Sequence, residues 1–281
     1  MTAQTESAIR VPARSFAPSA TLVVGILIIG VWAACAVLGD RFVPFDPYAD
    51  DLMNALAPPS AEHWFGTDRL GRDVFSRVVV GARDILAVAP LATLLGAVLG
   101  TLLGLITGYF AGLVDGAISR VLDALLALPT VIVALMALAA LGASNVTVIV
   151  VIGLLYAPLI ARTVRAAVRA EREKEYVAAA QLSGENPLTI MLAEILPNVL
   201  PPIMVEVTLR LGYAIFSVAT LSFLGFGIQP PSADWGLSIA ENYALIGGGY
   251  WWTVLFDGLA TISLVVGVNL AADGVERALA E

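Results

Sequence analysis

The chain has 281 residues, 59% of them hydrophobic and 14% charged, with net charge −8 and a mean hydropathy of +0.88, whereas an ordinary soluble domain is about 25% charged. A hydrocarbon core about 30 Å thick takes roughly 20 apolar residues per helical crossing, so several crossings fit and a large soluble enzyme domain beside them does not. The fold class expected is all-α and polytopic, and nothing in the charge pattern supports nucleic-acid binding.

Six crossings are expected, near residues 21–39, 85–114, 124–143, 146–161, 198–224 and 253–272; the first four are uncharged stretches between charge clusters, and the last two are the least sharply bounded. The first, 21–39, reads as a retained span, because its roughly 18 apolar residues exceed the 7–15 of a signal-peptide core. It holds the lone Cys35. With a single cysteine and the single His63, neither a disulfide framework nor a His/Cys metal site is expected.

Residues 40–84 begin as a Pro/Asp-rich loop (Pro44, Asp46, Pro47, Asp50, Asp51, Pro58, Pro59). Val74, Phe75, Val78 and Val79 then recur at helical spacing opposite Arg72, Arg77 and Arg83. That pattern predicts an amphipathic helix on the membrane surface or against the bundle. In the second span Gly96, Gly100, Gly104, Gly108 and Gly112 stand four apart, the small-residue stripe that lets helix backbones approach in lipid, within the chain or with a second subunit. Because the stripe drifts about 40° per step, one neighbour is not expected to cover all five.

After the fourth span, Arg162, Arg165, Arg169 and Arg172 line one side of a helix. They read as lipid-headgroup and topology residues, with docking to an acidic partner as the sharper alternative. Lys174, the only lysine, has none of the glycine-rich loop of a phosphate-binding P-loop around it, which excludes ATP hydrolysis by that route. The next stretch predicts a helix stopped at Gly184, a turn, a short helix with Pro187 in its first turn, and a break at Pro197. Leu188, Met191, Leu192 and Ile195 would form an apolar ridge suited to a groove in another protein.

In the fifth span Glu206 and Arg210 stand one turn apart in the favourable order. An unpaired charge at that depth costs at least roughly 2.5 kcal/mol, so they are expected to pair or to line a pathway or gate. Ser217 and Thr220 continue along that side, as do Thr261 and Asn269 in the sixth span, where interhelical hydrogen bonding is the plain expectation. Arg10, Arg14, Arg120, the 162–174 cluster and Arg277 fall on one side of the membrane, the cytosol by the positive-inside rule, against Arg41, Arg69, Arg72, Arg77 and Arg83 on the other. Trp64, Trp235, Trp251 and Trp252 lie on that outer side, as expected of an interfacial belt.

Ala179, Gly184 and Ile195-Leu196-Pro197 resemble the "EAA" loop of binding-protein-dependent ABC importer permeases, whose short helix docks on the ATPase subunit. Ala178 stands where that motif usually has its glutamate, and Glu175, about one turn earlier, is the candidate substitute. Phe65-Gly66-Thr67-Asp68, the run Gly71 to Arg77, the run Leu221 to Pro231, Trp235-Gly236, Asn269-Leu270 and Asp273-Gly274 are similar, in order, to the C-type permease subunit of dipeptide, oligopeptide and nickel importers.

The resemblance implies a permease of the bacterial cytoplasmic membrane, and the basic flanks with an even number of spans put both termini in the cytosol. Residues 1–84 would carry the tail, first span and external segment, and 85–281 a five-helix core with coupling loop 162–197. It implies as partners a homologous second permease, two cytosolic ATPase subunits that hold ATP and magnesium, and an external binding protein. This chain would have no cofactor and no catalytic residue. Peptides are the expected cargo, with nickel or another small solute as the alternative. An ion-coupled secondary transporter and a non-transporting membrane scaffold are the rival classes; no inverted repeat is evident for the former.

Overall fold

A computed structural model describes residues 20–280; Arg10 and Arg14 lie outside them. The described residues are helical apart from connections and one isolated bridge between Thr67 and Asp73. The first helix, α1, is Ala20–Phe42. Residues 43–73 return as a folded loop to α2, Val74–Tyr109, whose first turn is capped by the Asp73 carboxylate accepting from Ser76 N–H at 2.8 Å.

The amphipathic segment is not a separate helix. It is the first part of α2, and its Arg77 is 2% exposed. Charge spacing predicted a wet face there, but Arg77 donates to the carbonyls of Pro47 (3.1 Å) and Ser232 (3.2 Å) and to Ser238 Oγ (3.1 Å), and a guanidinium whose donors are met can be buried.

The third crossing is broken. Helices α3 (Leu113–Leu126) and α4 (Thr130–Leu141) meet at 88°. Pro129 lacks an N–H and disfavours helix at the residue before it, so the chain turns there. At about 1.5 Å per residue, the 12 residues of α4 reach only about 18 Å. Helix α5 (Asn145–Arg172) starts on a Ser144 cap and runs through the arginine ladder. Among the described residues, five helices are thus long and apolar enough to cross a membrane, or six crossings if the bent pair counts as one.

Four of the five stripe glycines lie in α2 and meet α5 alone. A Cβ on Gly96, Gly100, Gly104 or Gly108 would lie 2.5–3.1 Å from Cβ of Tyr156, Ile160, Val164 or Val168 respectively. One neighbour covers these four because α5 presents its own row advancing by four, and, as expected, it does not cover all five. Rows of that spacing are inclined to the helix axis, so an obliquely crossing helix follows the drift. Gly112 belongs to the turn instead, at φ +84° before α3.

Beyond α5 come α6 (Glu175–Leu182) and α7 (Pro187–Thr189), which continues through a π-turn over Ile190–Ile195 into α8 (Leu196–Phe223). The expected break at Pro197 is absent: Leu196 N–H reaches back to the Met191 carbonyl, and Pro197 sits in the first turn of α8, where its missing N–H costs little. Helix α9 (Trp235–Asn242) and α10 (Trp252–Ala280) complete the chain. Helices α2 and α5 are the central pair; α8 packs on both and on α10, while α1 packs on α10 and α2.

Candidate functional site

Two places gather the residues singled out in the sequence: the α6–α8 connection at one end of the bundle, and the face of α8 within it. Helix α6 ends in a Schellman motif, with Gly184 N–H bonded to the Gln181 carbonyl (3.1 Å) and Glu185 N–H to that of Ala180 (3.2 Å). Gly184 has φ +78°, a conformation that favours glycine. Asn186 then caps the next turn by accepting from Leu188 N–H (3.0 Å), with Pro187 at its start. The stop and restart fall where the sequence placed them.

The apolar ridge is split. Leu188 and Leu192 are 57% and 44% exposed, but Met191 and Ile195 are buried in the core. The π-turn accounts for this: a bond to the fifth rather than the fourth preceding residue changes the register, so positions that share one α-helical stripe no longer share one face. Leu182, which the sequence reading passed over, is 90% exposed beside them. Its signal was an apolar residue in the last turn before a glycine stop. Glu175, Ala178, Ala179, Pro187 and Pro197 are also exposed.

The segment is anchored from within by Tyr176. Its hydroxyl donates to Glu171 Oε1 (2.9 Å) and meets Asn198 Nδ2 (3.3 Å). Desolvation and the Glu171 bond push the hydroxyl up to about 12, so it stays a donor.

Along α8, Arg210 Nε lies 2.6 Å from Glu206 Oε1 and its guanidinium stands 5.5 Å from the Tyr213 ring centre. The expected pair forms. Arg210, Ser217 and Thr220 line a cavity of about 230 Å³ with Thr130 of α4, Tyr156 of α5, and Tyr213 and Phe216 of α8. Ser217 shares a hydrogen bond with Tyr156 hydroxyl (2.9 Å). Thr220 and Thr261 donate to carbonyls of their own helices, Phe216 and Asp257, so neither makes the interhelical bond expected. Asn269 stands against Gly212 in an adjoining hollow that shares Tyr213 and Phe216. Tyr156, Tyr213 and Phe216 were missed by sequence reading; the spacing 210, 213, 217, 220 held the signal.

At the other end, two of the four expected belt tryptophans are structural pins. Trp235 Nε1 donates to the Val78 carbonyl (2.9 Å) and Trp252 Nε1 to that of Thr67 (3.1 Å). Both are buried, whereas Trp64 and Trp251 are exposed. Arg72 bonds Asp68 (2.7 Å) and Glu241 (2.6 Å), and His63 Nδ1 meets Asp73 (2.9 Å).

A family model described as the binding-protein-dependent transport system inner membrane component matches residues 100–281. The dipeptide transport system permease protein DppC of Alkalihalophilus pseudofirmus is 39% identical over 257 residues, 92% of this chain and 84% of that protein. The glutathione transport system permease protein GsiD of Escherichia coli is 37% identical over 262 residues, 93% and 84%. Among solved structures, an inward-facing MetNI methionine ABC transporter aligns with TM-score 0.60 at 21% identity, over 72% of this chain and 96% of that one; this likeness concerns the fold. A bundle of apolar helices with these relatives is a multi-pass inner-membrane permease, and the chain belongs to the binding-protein-dependent transport system inner membrane component family.

Proposed function

We propose that this chain is the non-catalytic half of the translocation pathway in an ATP-driven importer of short peptides, working with a homologous permease, two ATPase subunits and an external binding protein. The observation that carries the reading is the exposed leucine group at Leu182, Leu188 and Leu192 on a rigidly capped turn that runs unbroken into the cavity-lining α8. Apolar side chains outside the spans, held on a stiff element, suit the groove of a soluble partner. Nucleotide states of the ATPase pair, with ATP and magnesium held there, would contact this turn differently and so bias an inward/outward equilibrium of the spans.

The Gly184 end is cytosolic in this reading. It carries Arg120, Arg162, Arg165, Arg169, Arg172, Lys174 and Arg277, while at the opposite end Arg72, Arg77 and Arg83 are engaged with carboxylates. Peptide cargo follows from the relatives named for dipeptides and glutathione. A cavity whose wall surface is mostly apolar, with Tyr213 and Phe216 in it, tolerates varied side chains, leaving selection to the binding protein.

The test is reconstitution of this chain with those partners in proteoliposomes. Uptake of labelled di- and tripeptides is expected to require ATP and to persist after ion gradients are collapsed. Uptake that needs an ion gradient instead of ATP, or uptake by this chain alone, overturns the proposal.

A further inference from the structure

The arginine ladder is only partly absorbed by packing. Arg165 grips Asp115 of α3 with Nε and Nη2, the latter at 2.8 Å, and Arg169 shares the same carboxylate. One carboxylate cannot neutralise both. Arg172, half-buried, stands 6.0 Å from the centre of the Tyr109 ring, and among the described residues no acidic side chain pairs with it. These guanidiniums open on a half-enclosed cavity of about 400 Å³ lined by Ala111, Arg169, Arg172, Glu173 and Gln181. Glu173 and Arg169 are both exposed, and three guanidiniums (Arg165, Arg169, Arg172) against two carboxylates (Asp115, Glu173) leave the cluster net positive.

The rim of this cavity continues directly into bare apolar surface. Phe110, Leu113 and Val114, on the α2–α3 turn beside Ala111, are 38%, 93% and 45% exposed. A cationic hollow whose lip is apolar fits an amphiphile with an anionic head. Guanidiniums suit phosphate because their N–H groups form a fork that matches its oxygens. We propose that this cavity is a binding site for the phosphate of an anionic phospholipid, with Arg172 and Arg169 as its donors, Gln181 as a neutral partner, and the acyl chains lying over Phe110, Leu113 and Val114. Its occupant would tie α5, α6 and the α2–α3 turn together at the root of the α6–α8 connection.

The assembled importer in detergent, mixed with phosphatidylglycerol or phosphatidylcholine and examined by native mass spectrometry, tests this. At least a tenfold preference for phosphatidylglycerol is expected on this chain. Arg172→Gln should abolish it, and Arg120→Gln, an exposed arginine on α3, should not. Should Arg172→Gln fail to assemble, the wild-type chain still decides: phosphatidylglycerol, and not phosphatidylcholine, is expected to shield Arg172 from an arginine-specific dicarbonyl reagent.

Equal retention or equal shielding by the two lipids overturns the proposal, as does an unchanged preference in Arg172→Gln. Displacement of the lipid by equimolar inorganic phosphate would make this a free-phosphate site and sink the lipid assignment. Binding to the isolated chain that vanishes in the assembled importer would give the cavity to the ATPase interface instead.

Discussion

The two ends of the bundle solve opposite problems. At the α9 end, four large side chains are fastened within the chain: Arg77 meets two carbonyls and a serine, Arg72 bridges Asp68 and Glu241, and Trp235 and Trp252 each donate to a backbone carbonyl. At the α6 end, the caps are complete but Leu182, Leu188 and Leu192 remain exposed. Exposed leucines along the spans say little, since lipid is their solvent. Outside the spans they mark a surface that a partner must cover. One end is built to hold its shape unaided, the other to receive something.

The sharpest way to break that contrast is to cut the fastening of the α9 end. Arg77→Met leaves buried Asp68 near an apolar chain where a guanidinium stood 3.8 Å from it. Removing one member of a buried charge cluster costs about 3–5 kcal/mol, so thermal unfolding of the purified chain should show a large loss, with poor yield of monodisperse protein. A variant that unfolds like the wild type would mean that the pins at this end are ornamental.

Next is the inner half of the split ridge. Met191→Asp places a carboxylate at a 6% exposed position, at a cost on the order of 3 kcal/mol from lost packing and desolvation. Its uptake should fail together with its stability, which makes it a folding variant and unfit as a docking probe.

This difference between neighbouring ridge positions also measures what sequence could deliver. Caps are local, so Gly184 and Asn186-Pro187 were legible from adjacent residues. So was the Glu206–Arg210 pair, whose partners stand one turn apart. The inward turn of Met191 was not, because helical periodicity assumes an α register that the π-turn interrupts. Arg77 misled for another reason: two of its acceptors, Ser232 and Ser238, come from more than 150 residues away, and spacing within α2 carries no trace of them. The glycine stripe was legible as close packing, but its single partner depended on the matching row in α5.

A smaller effect of opposite sign is expected at Asp234, which caps α9 through one carboxylate oxygen accepting from Leu237 N–H (2.9 Å), while among the described residues the other, buried oxygen accepts no hydrogen bond of ordinary geometry. Burial pushes this carboxyl from the ordinary 3.8 up to about 6. The folded state therefore holds its proton more tightly than the unfolded one, and stability contributed by this group falls as pH rises from about 4 to 6 and is level above. Asp234→Asn keeps a capping oxygen and carries no charge, so a gain of about 1–2 kcal/mol is expected at pH 7. Melting temperatures followed from pH 4 to 7 should slope less steeply in the variant; parallel slopes would remove Asp234 from the account.

The smallest change in stability should accompany the largest change in work. Leu188→Asp alters a side chain 57% exposed whose backbone N–H remains bonded to Asn186 Oδ1, so the fold should shift by no more than about 0.5 kcal/mol. A carboxylate in a desolvated apolar groove, however, has no counterpart there and resists burial. Co-purification of the ATPase subunits and ATP-dependent uptake should both collapse while membrane insertion and melting temperature hold. Leu182→Asp, on the other side of the Gly184 turn, should behave alike if the proposed docking surface takes in both exposed leucines. Wild-type uptake by both variants would mean that the bare end is not where the driving subunit docks, and the contrast between the two ends would lose its functional meaning.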